Sequence, residues 1–172
     1  MLGPNQYMAA VGVVIIPKPP NKLLSEYANL DVWDLAEKQA YRSPFKLFKT
    51  GAVLLNGKGS VVSKGCSHVR EHGSPRPSIH AEAHALYDTL NTAGLTCLIV
   101  TINKSGNWAC SSKPCAYCTH VMNKAGIERV IYAERTNDGE WSVNVERIEH
   151  LILRVDCDMI HEKYTKQMRL IS

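Results

Sequence analysis

His80-Ala81-Glu82 and, further along, Pro114-Cys115-Ala116-Tyr117-Cys118 are the stretches on which the reading of this chain turns. One imidazole and two thiolates are donors suited to Zn²⁺. Three protein ligands leave a tetrahedral ion one position short, which a catalytic site needs and a structural one does not. Cys115 and Cys118 stand three residues apart, so on a helix they share a face that continues through Met122 and Ala125. Pro114 suits the first position of that helix, where a missing backbone donor costs nothing. The positive end of the helix dipole then favours thiolates. Ile79, Ala83, Leu86 and Leu90 predict a second helix, opened by His80, with these four on its buried side. Glu82 diverges from His80 on such a helix, so it is free to move protons at a water in the open position rather than bind the metal. A lone C-x-x-C also occurs in redox motifs and half zinc ribbons. A ribbon needs a second C-x-x-C, which this chain lacks, and the H-x-E upstream points to catalysis.

At these residues the chain resembles the zinc-dependent cytidine and deoxycytidylate deaminase superfamily, whose signature is H-x-E…P-C-x-x-C. The resemblance runs from about Trp33 to about Val145. Thr50-Gly51-Ala52-Val53-Leu54-Leu55, with Gly57-Lys58-Gly59 and Ser60-Val61-Val62, looks like the family's opening hairpin. Ala125-Gly126-Ile127-Glu128-Arg129-Val130-Ile131-Tyr132 is similar to the stretch after the cysteine helix in deoxycytidylate and tRNA-adenosine deaminases. The resemblance implies Zn²⁺ on His80, Cys115 and Cys118, with Glu82 as the catalytic proton shuttle. The implied reaction is hydrolytic conversion of a cytosine base to uracil, on a nucleoside or nucleotide. Cytosine in single-stranded DNA or RNA is the alternative, and a purine base is open because the zinc motif is shared. Relatives commonly self-associate, which implies a possible homo-oligomer. A zinc-stabilised, catalytically silent binding protein is the rival from another class.

Ala81, through its backbone, Ser67, His68, Trp108 and Ser112 are the candidates for substrate contact. Gly65-Cys66-Ser67-His68 stands where some relatives carry a sugar-binding Asn, and Lys104–Cys110 is an insertion before the cysteine helix. That insertion and the loop Arg70–Ser78 would form the channel of a polynucleotide reader. Arg70 and Arg76 could hold a phosphate or be solvated, and Tyr117 could stack on a base or pack structurally. His84, four residues after His80, could touch the metal or line the pocket, but reads mainly as packing. Cys66, His68, His72 and Cys110 could assemble a second metal site, although chance accumulation is the ordinary explanation.

At 172 residues, with 45% apolar and 21% charged residues, the chain suits one soluble domain. The expected organisation is an N-terminal extension, 1–30, and a single domain, 31–172. Its expected architecture is a three-layer α/β/α sandwich with a mixed sheet of about five strands. The extension carries a possible edge strand, Val11–Ile16, and an extended connector, Pro17–Pro20. Strands are predicted at Ala52–Leu55, Val61–Gly65, Cys97–Ile102, Arg129–Ala133 and Trp141–Val145. Helices are predicted at Asp31–Tyr41 and around Ile148, Leu151, Ile152 and Val155. Thr136-Asn137-Asp138-Gly139 is a tight turn that makes the last two strands antiparallel, as in the cytidine-deaminase branch; the other branches run them parallel. A net charge of +4 permits nucleic-acid contact without arguing for it, since its basic residues form no stripe. The longest apolar run, Ala9–Ile16, is far short of the roughly 20 residues of a membrane span. The cysteine spacing is not that of a secreted scaffold and no signal peptide is evident, so a reducing cytoplasmic setting is expected.

Overall fold

The computed structural model describes residues 18–69 and 78–156. In chain order they form α1 (Asn21–Ser25), α2 (Leu30–Tyr41), β1 (Phe48–Leu55), β2 (Val61–Cys66), β3 (His68–Val69), β4 (Ser78–Ile79), α3 (Ala81–Tyr87), β5 (Thr96–Asn103), α4 (Ala116–Lys124), β6 (Arg129–Arg135) and β7 (Trp141–Arg147). Residues 148–156 are helical. The main sheet has the order β2-β1-β5-β6-β7. β1 is antiparallel to β2 and β5, β5 is parallel to β6, and β6 is antiparallel to β7. This is the mixed five-stranded sheet expected from the sequence.

Alternation along the central strands sorts the core into two layers, because successive side chains of a strand point to opposite faces. Val53 and Leu55 of β1, Leu98, Val100 and Ile102 of β5, and Ile131 and Ala133 of β6 pack with Trp33, Ala36 and Ala40 of α2. Their neighbours Ala52, Leu54, Cys97, Ile99, Val130 and Tyr132 pack on the other face with Ala81 and Ala85 of α3, Cys118 and Met122 of α4, and Leu151. Burial on both faces explains why β5 reads as a continuous apolar run. The three-layer sandwich follows. The β6–β7 hairpin closes as predicted: Thr136 N–H donates to the Glu140 carbonyl at 2.8 Å, and Gly139 takes the positive φ the turn needs, 84°.

Three details differ from the sequence reading. The Trp33 indole N–H donates to the Leu24 carbonyl at 3.0 Å, and Leu24 is fully buried in the α2 layer. Residues from at least Leu24 onward therefore pack with the domain; Val11–Ile16 and most of Arg70–Ser78 lie outside the described residues. α3 spans two turns and buries Ala81, Glu82 and Ala85, whereas Ile79 belongs to β4 and Leu90 is fully exposed beyond the helix. The small residues face inward because β2 comes too close for larger ones. A Cβ on Gly65 would sit 2.4 Å from the Ala81 carbonyl oxygen. Finally, α4 begins at Ala116 with Cys115 as its cap, so Pro114 precedes the cap rather than opening the helix.

Gly51 makes the matching contact on the α2 side, where a Cβ would stand 2.0 Å from the Ala36 carbonyl oxygen and 2.5 Å from Ala40 N. Both neighbours are helix backbone and cannot move aside cheaply. Gly51→Ala is expected to cost about 1–3 kcal/mol or more in urea unfolding. Gly57→Ala, at a position with nothing within 4 Å of the added carbon, should stay within about 0.5 kcal/mol.

Candidate metal centre and active site

Two helix beginnings build the centre. His80 has extended backbone, φ −77° and ψ 155°, and caps α3 directly after β4. Cys115, φ −70° and ψ 164°, caps α4, and its Sγ accepts the Cys118 N–H at 3.5 Å. Each helix thus starts with a metal donor, and the last of the three, Cys118, lies within the first turn of α4. His80 Nδ1 lies 3.5 Å from Cys115 Sγ and 3.3 Å from Cys118 Sγ. All three donor atoms fall within 4.8 Å of one another. Tetrahedral Zn²⁺, with bonds of about 2.3 Å to sulfur and about 2.0 Å to nitrogen, separates such donors by about 3.5 Å. The donor set therefore fits zinc in both chemistry and spacing.

The thiols are prepared unequally. Cys115, accepting a hydrogen bond from the Cys118 thiol, is lowered to about 5 despite its partial burial; the Cys118 N–H and His80 act in the same direction. Cys118 is the donor in that bond and is buried, and both effects push it upward. Glu82 is only 4% exposed. Burial raises its carboxyl above the usual range, opposed by a hydrogen bond from its own N–H. An acid held in this way is suited to carrying a proton rather than a permanent charge. Cys97, buried close enough for the Glu82 charge to act on it, is raised well above the usual thiol range and is a core residue.

His80, Glu82 and Cys115 line a cavity of about 290 Å³, close to the lower end of the roughly 300–1,000 Å³ of small-molecule sites. Ala81, Ser67 and Ser112, named from the sequence as candidates for substrate contact, line it as well. Both serines are already oriented by backbone: Thr50 N–H donates to Ser67 Oγ at 3.1 Å, and Thr101 N–H to Ser112 Oγ at 2.9 Å. His68 is not part of the wall; its ring packs edge-to-face on His84 at 4.5 Å. Trp108 is a clear correction. It is 1% exposed in the α2-side core, across the sheet from the cavity, with ring centroids 5.8 Å from Trp33 and 6.4 Å from Trp141. The insertion carrying it folds back onto α2, bridging Trp108 to Ile102 and receiving the Tyr41 hydroxyl on the Gly106 carbonyl at 2.8 Å. Tyr117 stands edge-on to His80 at 6.1 Å.

The sequence reading missed Phe45, Phe48, Thr50, Thr101 and Lys113 in the wall. Alternation held the signal for two of them. Thr50 shares a face with Ala52 and Leu54, and Thr101 with Ile99 and Cys97, so both lie on the side of α3 and α4. The two threonines are register partners, and their hydroxyls meet at 3.2 Å.

A chelator that strips metal from the folded protein should expose Cys115 to iodoacetamide, and added zinc should restore protection, read by peptide mass spectrometry. With its thiol at about 5, Cys115 is about nine-tenths ionised at pH 6. Its labelling should therefore be nearly flat from pH 6 to 8, where an ordinary cysteine accelerates by well over tenfold.

The profile of the cytidine and deoxycytidylate deaminase zinc-binding region matches residues 27–134. No curated protein sequence matches the chain. Among solved structures, a cytidine deaminase from Burkholderia pseudomallei superposes with a TM-score of 0.54 at 21% identity, covering 72% of this chain and 95% of that one. A cytidine deaminase from Mycobacterium tuberculosis gives 0.47 at 20% identity, over 71% and 91%. A dCMP deaminase from the cyanophage S-TIM5 gives 0.42 at 20%, over 59% and 78%. The first of these shares the fold. With its zinc-binding region matched over more than half its length, the chain belongs to the cytidine and deoxycytidylate deaminase family.

Proposed function

We propose that this protein is a zinc-dependent hydrolase that converts the cytosine base of a nucleoside or nucleotide to uracil, with release of ammonia. The observation that carries this reading is a buried acid, Glu82, sharing one small cavity with His80 and Cys115 of a zinc-spaced donor trio. His80, Cys115 and Cys118 would hold the ion, which when bound supplies the activation of water at neutral pH. Glu82 does the proton work: its carboxylate takes a proton as water adds to the ring carbon bearing the amine, and returns protons to the ring nitrogen and the departing amine. One water is consumed and one ammonia leaves, so the base gains a carbonyl and loses an amino group.

The chain's other wall residues orient the base. The Ala81 backbone borders the cavity beside Glu82, and the Ser112 hydroxyl keeps its proton free to donate because its oxygen already accepts from Thr101. Phe48, 61% exposed at the rim, offers an aromatic face for stacking. Lys113 is the wall's lysine or arginine among the described residues, and its charge suits a phosphate. The insertion that would wall a polynucleotide channel packs on the far side of the sheet instead, which favours a small substrate.

Glu82→Gln is expected to lower kcat by about 10²–10⁴-fold with zinc content unchanged. Unaltered turnover would remove the proton-carrying role. Uracil formation should be measured on cytidine, deoxycytidine, their monophosphates and a single-stranded oligonucleotide. Turnover of a nucleoside or nucleotide is expected; turnover of the oligonucleotide alone would overturn the substrate assignment, and no turnover of any would favour a silent binding protein.

A further inference from the structure

Outside the catalytic cavity a second set of metal-type donors converges. Cys66 at the end of β2, His68 on β3 and His84 on α3 each place a ligating atom within 4.8 Å of the others. We infer that Cys66, His68 and His84 form a second Zn²⁺ site that clamps the β2–β3 turn to the helix carrying Glu82.

The fold brings these side chains together for a stated reason. Gly65 lies against α3 so closely that a Cβ there would be 2.4 Å from the Ala81 carbonyl oxygen and 2.5 Å from Ala85 N. The residue after it, Cys66, is therefore set beside His84. One peptide group then orients both rings. His68 Nδ1 lies 3.1 Å and His84 Nδ1 3.0 Å from the Cys66 carbonyl oxygen; in the tautomers that donate to it, each ring keeps Nε2 for a metal. A backbone partner that fixes ring orientation is the usual outer support of metal-bound imidazoles. The rings pack edge-to-face at 4.5 Å, so they are held as a pair. One thiol and two imidazoles suit Zn²⁺, with solvent completing four-coordination.

All three residues are half-buried, accessible to an ion and shielded enough to hold it. None belongs to the His80–Cys115–Cys118 set. His68 pairs with Ile79, the residue before His80, in the small β3–β4 ladder. A metal here would tie the β3–β4 ladder, and through Ile79 the residue before His80, to α3. The sequence suggested Cys66 and His68 for such a site but grouped them with His72 and Cys110. The structure supplies His84 instead, and His72 lies outside the described residues.

The test is the zinc stoichiometry of the full chain, measured by inductively coupled plasma mass spectrometry after equilibration with excess Zn²⁺ and desalting. Wild type should hold two ions per chain, and the Cys66→Ser/His68→Gln variant one. The reciprocal Cys115→Ser/Cys118→Ser variant should keep one ion, and with Co²⁺ it should show thiolate-to-cobalt charge-transfer absorption that adding Cys66→Ser abolishes. Equal ion counts in wild type and Cys66→Ser/His68→Gln would overturn the site. Should the reciprocal variant lose its native circular dichroism, the wild-type and Cys66→Ser/His68→Gln counts alone decide. A failure of the deaminase reading, on which the count of two rests, would show in turnover and leave the difference between these two counts unchanged.

Discussion

Everything at the candidate site depends on two helices that start close enough for their capping side chains to meet. α3 and α4 lie on one face of the sheet, and their capping residues, His80 and Cys115, are themselves donors. The constraint is set by topology. α4 is the crossover between the parallel strands β5 and β6, so it begins beyond the carboxyl end of β5. That end of a parallel pair is where α/β sheets present ligand sites. Thr101, near the same end of β5, contributes to the cavity wall.

The placement has electrostatic force. Backbone N–H groups at a helix start are unpaired within the helix and favour negative charge, and here a thiolate accepts one of them. The same geometry puts Glu82 in the first turn of α3, buried and close enough for Cys115 to influence it. A carboxyl in that position is discouraged from ionising by its lack of solvent. The donor set and the acid are thus parts of one electrostatic arrangement, built from two chain segments distant in sequence.

What was legible in the sequence follows from what each feature demands. Metal coordination restricts both residue type and spacing, so His80, Cys115 and Cys118 could be picked out and the structure brings them together. The Asp138-Gly139 turn fixes strand direction because a connection that short admits only a hairpin. Wall residues such as Thr50 and Thr101 are gathered by sheet register across about fifty positions, information that no local pattern contains. Trp108 was misplaced for a related reason: an aromatic residue near a motif in sequence can lie on either face of the sheet. The helical stripe through Ile79 and Leu90 failed because it matched the period of a helix while the contact with Gly65 selected a face of alanines.

The aromatic cluster has a spectroscopic corollary. Trp33, Trp108 and Trp141 are all the tryptophans of the chain, and they stack in sequence on the α2 side of the sheet. Intrinsic indole emission is therefore a one-sided reporter. It follows loss of that layer on denaturation, while events among the donors and the acid on the opposite face reach it only through the intervening strands.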